Sequence, residues 1–179
     1  MLILLIRVFH YYIWIDFLRV KLIIKIKNVM KTIKDYFRIE ELVDKAVYDI
    51  HKENSWKFID KDILSCLLVI REGIGKPITV NTWIFGGTLS QRGLRHNMSS
   101  LVKKKTRVYL SAHMFGKALD FDVEGMTAVE VREWINNNTN LFPCKIRLER
   151  NINGKPISWV HLDIMADIDQ EEQVYSFDI

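Results

Sequence analysis

Two apolar runs, CKIRLER at 144–150 and ISWVHLDIM at 157–165, are separated by a stretch holding Asn153, Gly154 and Pro156. Both are short and bounded by turn residues, so they read as the two strands of a β-hairpin. This pair constrains the fold more than any other feature. The second run carries His161 and Asp163 two residues apart, hence on one face of its strand. An imidazole flanked by Trp159 and Val160 is costly to bury unpaired, so that face calls for polar company from elsewhere in the chain.

The rest of the chain supplies helices first. Phe37, Leu42, Val43, Ala46 and Val47 recur at three- and four-residue steps and predict one helical stripe. Asp60 and Lys61 precede DILSCLLVIREGIG, where Ile63, Leu64, Leu67, Leu68 and Ile70 predict a second helix ended by Gly73 and Gly75. KPITVNTWIFGG predicts a strand with Ile78, Val80, Thr82 and Ile84 on one side, and residues 86–105 an irregular loop of a length that is usually functional or mobile. RVYLSAH and ALDFDV read as strands entering and leaving a bend. TAVEVREWINNN reads as a helix opened by a Thr127–Glu130 capping box, with Val131, Trp134 and Ile135 on its apolar face. The acidic tail DIDQEEQVYSFDI is expected to be peripheral. Helices followed by mostly antiparallel strands with one intervening helix define an α+β class, and 179 residues suit one domain.

Charge argues against a nucleic-acid partner. The net +4 lies in residues 1–29, where Arg7, Arg19, Lys21, Lys25 and Lys27 face only Asp16, and the remainder holds 21 cations and 21 anions. The run Lys103–Lys105 with Arg107 reads as a solvated loop. Residues 1–29 are apolar but broken by Arg7, Asp16 and Arg19, short of the roughly 18–20 uninterrupted apolar residues that a membrane span needs. They read as an extension or a mis-assigned start before a domain at 30–179, with a weak membrane anchor or an uncleaved export signal as the alternative. Cys66 and Cys144 lack the paired spacing of a thiolate metal site and read as buried free thiols.

The chemistry concentrates in SAHMFGKALDFD, residues 111–122. His113 and Asp120 stand at the two ends of a short turn, where Gly116 permits a sharp reversal and Ala118 keeps bulk away. A catalytic zinc site takes three protein ligands and keeps a fourth position open. His113 and Asp120 supply two candidates, and His161 is the third.

Ser111, His113, Gly116, Ala118 and Asp120, followed about 40 residues later by Trp159 and His161, resemble the signature of the zinc D-alanyl-D-alanine carboxypeptidases. That family includes phage endolysin peptidases and vancomycin-resistance dipeptidases, and it shares its fold with Hedgehog signalling domains. The resemblance spans roughly residues 60–165 and includes GKPITVN at 75–81. It implies N-terminal helices on a small, mostly antiparallel sheet, with Zn2+ held by His113, Asp120 and His161. It also implies substrate contacts at Ser111 and Trp159, and hydrolysis of peptidoglycan stem or cross-link peptides by a monomer made in the cytoplasm and acting on the cell wall. A phage origin fits the same resemblance.

Two departures matter. Many members place an acidic general base three residues before the last histidine, where this chain has Ser158. Glu149 is the leading substitute, with Asp163 and Asp122 as further candidates. A two-residue turn at Asn153-Gly154 sets Glu149 opposite Ser158 and away from His161, whereas a three- or five-residue loop turns both toward the metal. The family's substrate-gripping arginine motif is also absent. Arg92 and Arg95 lie in the corresponding loop, and either would hold a carboxylate or steady an oxyanion. His96 is a further candidate without a demanding spacing. Ser158 motivates an alternative expectation, a metal-binding structural or cell-wall-binding module that has lost its base.

Overall fold

Asn153 and Gly154 take positive φ values of 50° and 71°, and Ile152 pairs with Lys155, so a two-residue turn closes the expected hairpin. The computed structural model describes residues 31–179. The extension expected over residues 1–29, with its anchor alternative, lies outside the described residues. From Ile33 to Ile179 the chain forms one unit.

Five strands make a mixed sheet: β1 (Ile78–Thr79), β2 (Ala118–Val123), β3 (Ile146–Ile152), β4 (Lys155–Asp163) and β5 (Val174–Asp178), in the order β1-β2-β4-β3-β5. All neighbours are antiparallel except β3 and β5, which run parallel. The described helices are α1 (Ile39–Leu42), α2 (Lys45–His51), α3 (Lys61–Ile74), α4 (Ser100–Lys103) and α5 (Ala128–Asn137), giving an α+β architecture. None of them is long and apolar enough to cross a membrane.

The core lies on one face of the sheet. Leu119, Leu148 and Leu162 form one row across β2, β4 and β3, with Phe121 and Val160 beside them, all buried. They join Ile63, Cys66, Leu67 and Ile70 of α3 and Ala128, Val131 and Ile135 of α5 in a single apolar cluster. Because side chains alternate along a strand, the residues between these point to the other face. That face carries Asp120, Glu149, His161 and Asp163.

Several elements depart from expectation. The stripe from Phe37 to Val47 breaks into two short helices, because Val43 is extended and bridges Leu94 while Asp44 accepts from the Ala46 amide and starts α2 anew. Gly75, at φ 75°, ends α3, but Gly73 lies inside it. A Cβ there would stand 2.4 Å from the Trp134 ring, so packing rather than termination demands that glycine. The strand predicted in KPITVNTWIFGG reduces to Ile78–Thr79, and Trp83–Phe85 coils into a 3-10 turn. RVYLSAH is not a strand: β1 and β4 already flank β2, and Val108 is left 92% exposed. The capping box of α5 is present, with Thr127 Oγ1 accepting from the Glu130 amide and Glu130 Oε2 from the Thr127 amide. The tail is not peripheral, because β5 adds an edge strand to the sheet.

The hairpin register holds the most consequential surprise. The tight turn predicts Glu149 opposite Ser158, yet between Asn151 and Glu149 the pairing shifts, and Glu149 stands opposite His161. A bulge in β4 performs the parity flip that only a longer loop was expected to allow. Arg132 of α5 donates to the carbonyls of Trp159 (3.1 Å) and Ile157 (3.5 Å), in the stretch where the ladder with β3 is interrupted. The carbonyls of a bulge need such partners.

A candidate metal centre

Across four strands, Asp120, His161, Glu149 and Phe177 fall in one row of the polar face. The next row holds Ala118, Asp163, Arg147 and Tyr175. His113 comes from outside the sheet, on the 3-10 turn Ala112–Phe115 that leads into β2. Gly116, at φ 65°, reverses the chain after it, and a Cβ at Gly116 would lie 2.0 Å from the Phe58 carbonyl oxygen. Only glycine satisfies both the left-handed backbone and the close approach.

His113, Asp120 and His161 each offer a ligand atom, and the three atoms lie within 4.8 Å of one another. This is a cluster that could hold a metal ion. Each imidazole is gripped at one nitrogen and turned toward Asp120 with the other. His113 Nδ1 lies 2.9 Å from the Gly93 carbonyl oxygen, and its Nε2 lies 3.3 Å from Asp120 Oδ2. His161 Nε2 lies 3.2 Å from Asp163 Oδ2, and its Nδ1 lies 2.7 Å from Asp120 Oδ1. Such outer partners fix the ring orientation of metal-ligating histidines.

A carbonyl only accepts, so Nδ1 of His113 carries the proton, and in the neutral ring Nε2 is a lone pair facing the Asp120 carboxylate. Burial lowers the pKa of His113, against the pull of Asp120, which favours this neutral form. Both nitrogens of His161 face carboxylates. Two acceptors in contact need a cation between them, either a proton or a metal ion. Without a metal, burial works to lower the His161 pKa, but the Asp120 and Asp163 hydrogen bonds outweigh it and raise it to about 9. Burial likewise works to raise the pKa of Asp120, yet His113 and His161 hold it far below the usual carboxylate range. The donor set of two imidazoles and one carboxylate is chemically that of a metal site with room for further ligands.

The remaining expected residues distribute as follows. Glu149 is only 7% exposed, and its Oε1 is buried with no hydrogen-bond partner. Burial raises its pKa, with Asp120 and Asp163 adding to the effect against His161. Asp163, 1% exposed, is fully engaged: Arg147 Nε (2.9 Å) and the Met165 amide (2.8 Å) donate to Oδ1, and Arg147 Nη2 (3.2 Å) donates to Oδ2. It clamps His161 and has no free oxygen for base chemistry. Asp122 pairs with Arg92, in line with β2 but beside β1 rather than beside His161. Arg95 donates through Nη2 to Asp120 Oδ2 at 2.8 Å, so it holds the carboxylate at the centre of the candidate cluster. Arg92, Arg95, Asp120 and Trp159 line one cleft of about 330 Å³ with Gln91 and Leu101. Ser111 precedes the His113 turn with its hydroxyl buried and unpartnered, and it is not among the cleft's lining residues. His96 faces Asp44, 3.5 Å away, rather than the cluster.

Sequence reasoning missed the supports. Asn81 is buried and ties the loop down, donating to the Val43 carbonyl and accepting from the Arg92 amide. Gly93 lets that loop pass the Leu42 carbonyl, where a Cβ would lie 1.9 Å away. Arg147 lies under the Phe177 ring at 5.1 Å, and that ring stands edge-on to His161 at 6.3 Å. Alternation within WVHLD placed Asp163 on the face of His161, but only the bulged register sets Arg147 opposite it.

Comparison of the chain with protein-family models, with curated proteins and with solved structures found no match.

Proposed function

We propose that this chain is a zinc-dependent peptidase that hydrolyses peptidoglycan stem or cross-link peptides, similar to the zinc D-alanyl-D-alanine carboxypeptidases and phage endolysins. The observation that carries this reading is the convergence of His113, Asp120 and His161, each imidazole held at its outer nitrogen and facing the shared carboxylate. Zinc suits two imidazoles and one carboxylate, and the chemistry it supplies when bound is Lewis acidity, which polarises the scissile carbonyl and makes water nucleophilic near neutral pH.

The chain's own residues do the rest. Glu149 is the general base: its unpartnered oxygen, in the same sheet row as two ligands, takes a proton from the attacking water and returns it to the leaving amine. Arg95 keeps the Asp120 carboxylate oriented. Arg92, whose partner Asp122 has a 45% exposed side chain, is the arginine available to a peptide carboxylate entering the cleft. Trp159 forms an apolar wall of that cleft. The substrate class rests on the motif resemblance.

Ser158 favours a second reading, in which the chain keeps the metal but lacks turnover and serves as a structural or cell-wall-binding module. The deciding experiment measures zinc content of the purified full chain together with free-amine release from purified cell wall. About one zinc per chain with amine release lost in His113→Ala supports the peptidase. Zinc retention without release supports the binding module. A zinc-free chain, or release undiminished in His113→Ala, overturns the peptidase reading.

A further inference from the structure

Cys66 and Cys144 stand 78 positions apart in sequence, yet their sulfurs lie 3.7 Å from each other. They are the chain's only two cysteines. Cys66 lies on the core face of α3, fully buried among Ile63, Leu67 and Ile70. Cys144 is half-buried, in the segment just before β3, and its carbonyl accepts from Gln173 Nε2 at 2.6 Å. Both backbones are therefore held by regular structure or by a specific hydrogen bond. The contact joins the helical layer to the sheet, and neither sulfur touches the metal cluster.

We propose that Cys66 and Cys144 are a disulfide-forming modification site, closed by thiol–disulfide exchange with a small disulfide oxidant and reopened by dithiol reductants. A disulfide needs its sulfurs at about 2.0 Å, so the contact closes by less than 2 Å shared between two side chains. The half-buried Cys144 thiolate attacks the oxidant first, giving a mixed disulfide and releasing one thiolate. The Cys66 thiolate then attacks the Cys144 sulfur, and the second thiolate leaves. In sum, the two protein thiols lose two protons and two electrons, and one oxidant disulfide becomes two thiols. Burial raises the pKa of both thiols, most strongly for Cys66, which makes the second step the slow one. The bond closes a long loop and ties α3 to the lead-in of β3. It thus strengthens the fold in an oxidising compartment without altering the metal site.

The test treats the purified full chain with oxidised glutathione at about pH 8.5, where an ordinary free thiol is half ionised. Samples are then denatured, alkylated and weighed intact. The expected product is a monomer lighter by two hydrogens that takes up no alkylating reagent and regains both thiols with dithiothreitol. Its Tm should exceed that of the reduced chain by on the order of 5–10 °C. Cys66→Ala should stop at a stable glutathione adduct on Cys144. Two alkylated cysteines in the treated wild-type chain, a persistent adduct on Cys144, or disulfide-linked dimers would each overturn the proposal. None of these readouts depends on zinc or on hydrolysis, so the proposal stands or falls separately from the peptidase reading.

Discussion

At Asp120 one carboxylate faces two imidazoles, and their charge states follow from their other partners. His113, tied to a carbonyl and buried, is driven neutral, while His161, set between Asp120 and Asp163, is driven toward its cation. A metal ion held at this cluster would take the place of the His161 proton, so the metal-free protein should reveal that proton. Because the folded pKa of His161, about 9, lies above its unfolded value of 6.5, the stability it contributes is complete below pH 6.5. That stability is lost as pH rises through about 9. The Tm of chelator-treated protein should therefore fall between those two pH values, and His161→Gln should flatten the slope. A slope unchanged in that variant would show that another group is responsible. Glu149 carries the second residue-scale prediction. Glu149→Gln keeps the shape but cannot take a proton, so hydrolysis should drop by about 10²–10⁴-fold with zinc content unchanged. Since burial raises the pKa of Glu149, the acid limb of the rate profile should lie above the ordinary glutamate range. Full activity in Glu149→Gln would return the base to another residue.

Among the elements, the turn before β2 and the bulge in β4 decide whether these residues meet. Gly116 joins the His113 turn to the strand that carries Asp120, and it accepts from the Asp60 amide at the start of α3. Gly116→Ala sets a left-handed alanine against the Phe58 carbonyl, at a cost of about 2 kcal/mol or more. The expected loss in Tm is about 4–8 °C for a domain of this size, accompanied by weaker zinc retention. A variant with unaltered Tm and zinc content would mean that the turn tolerates a side chain and does not set the His113–Asp120 geometry. β5 shows how a supporting element hides in plain composition. Its residues look like an acidic tail, yet Phe177 completes the row that holds Glu149 and His161 and covers Arg147.

For the molecule as a whole, the core and the candidate site occupy opposite faces of one sheet within Ile33–Ile179. A chain beginning at Met30 keeps the whole of that unit, so it should fold with the full chain's zinc stoichiometry and a hydrolytic rate within about twofold of the full chain's. Loss of folding, measured by circular dichroism, would assign residues 1–29 a structural role. The α+β class, α3, α5 with its capping box, β2, the hairpin and the three ligand candidates were all legible in the sequence. Each depends on local signals: periodicity, caps, turn residues, and a His-to-Asp spacing across a glycine bend. The division of the first helix, the shortening of the strand at Ile78, the place of β5 and the engagement of Arg92, Arg95 and Asp163 were not legible, because distant chain competes for the same hydrogen bonds. Register is the clearest case. The Asn153-Gly154 turn by itself sends Glu149 to the wrong face, and only the bulge, with Arg132 reaching from α5 to its carbonyls, brings Glu149 level with His161. Local chemistry thus determined which side chains were present and which elements carried them. Tertiary pairing decided which faced one another, since a slip in strand register reverses a face without changing a single local preference.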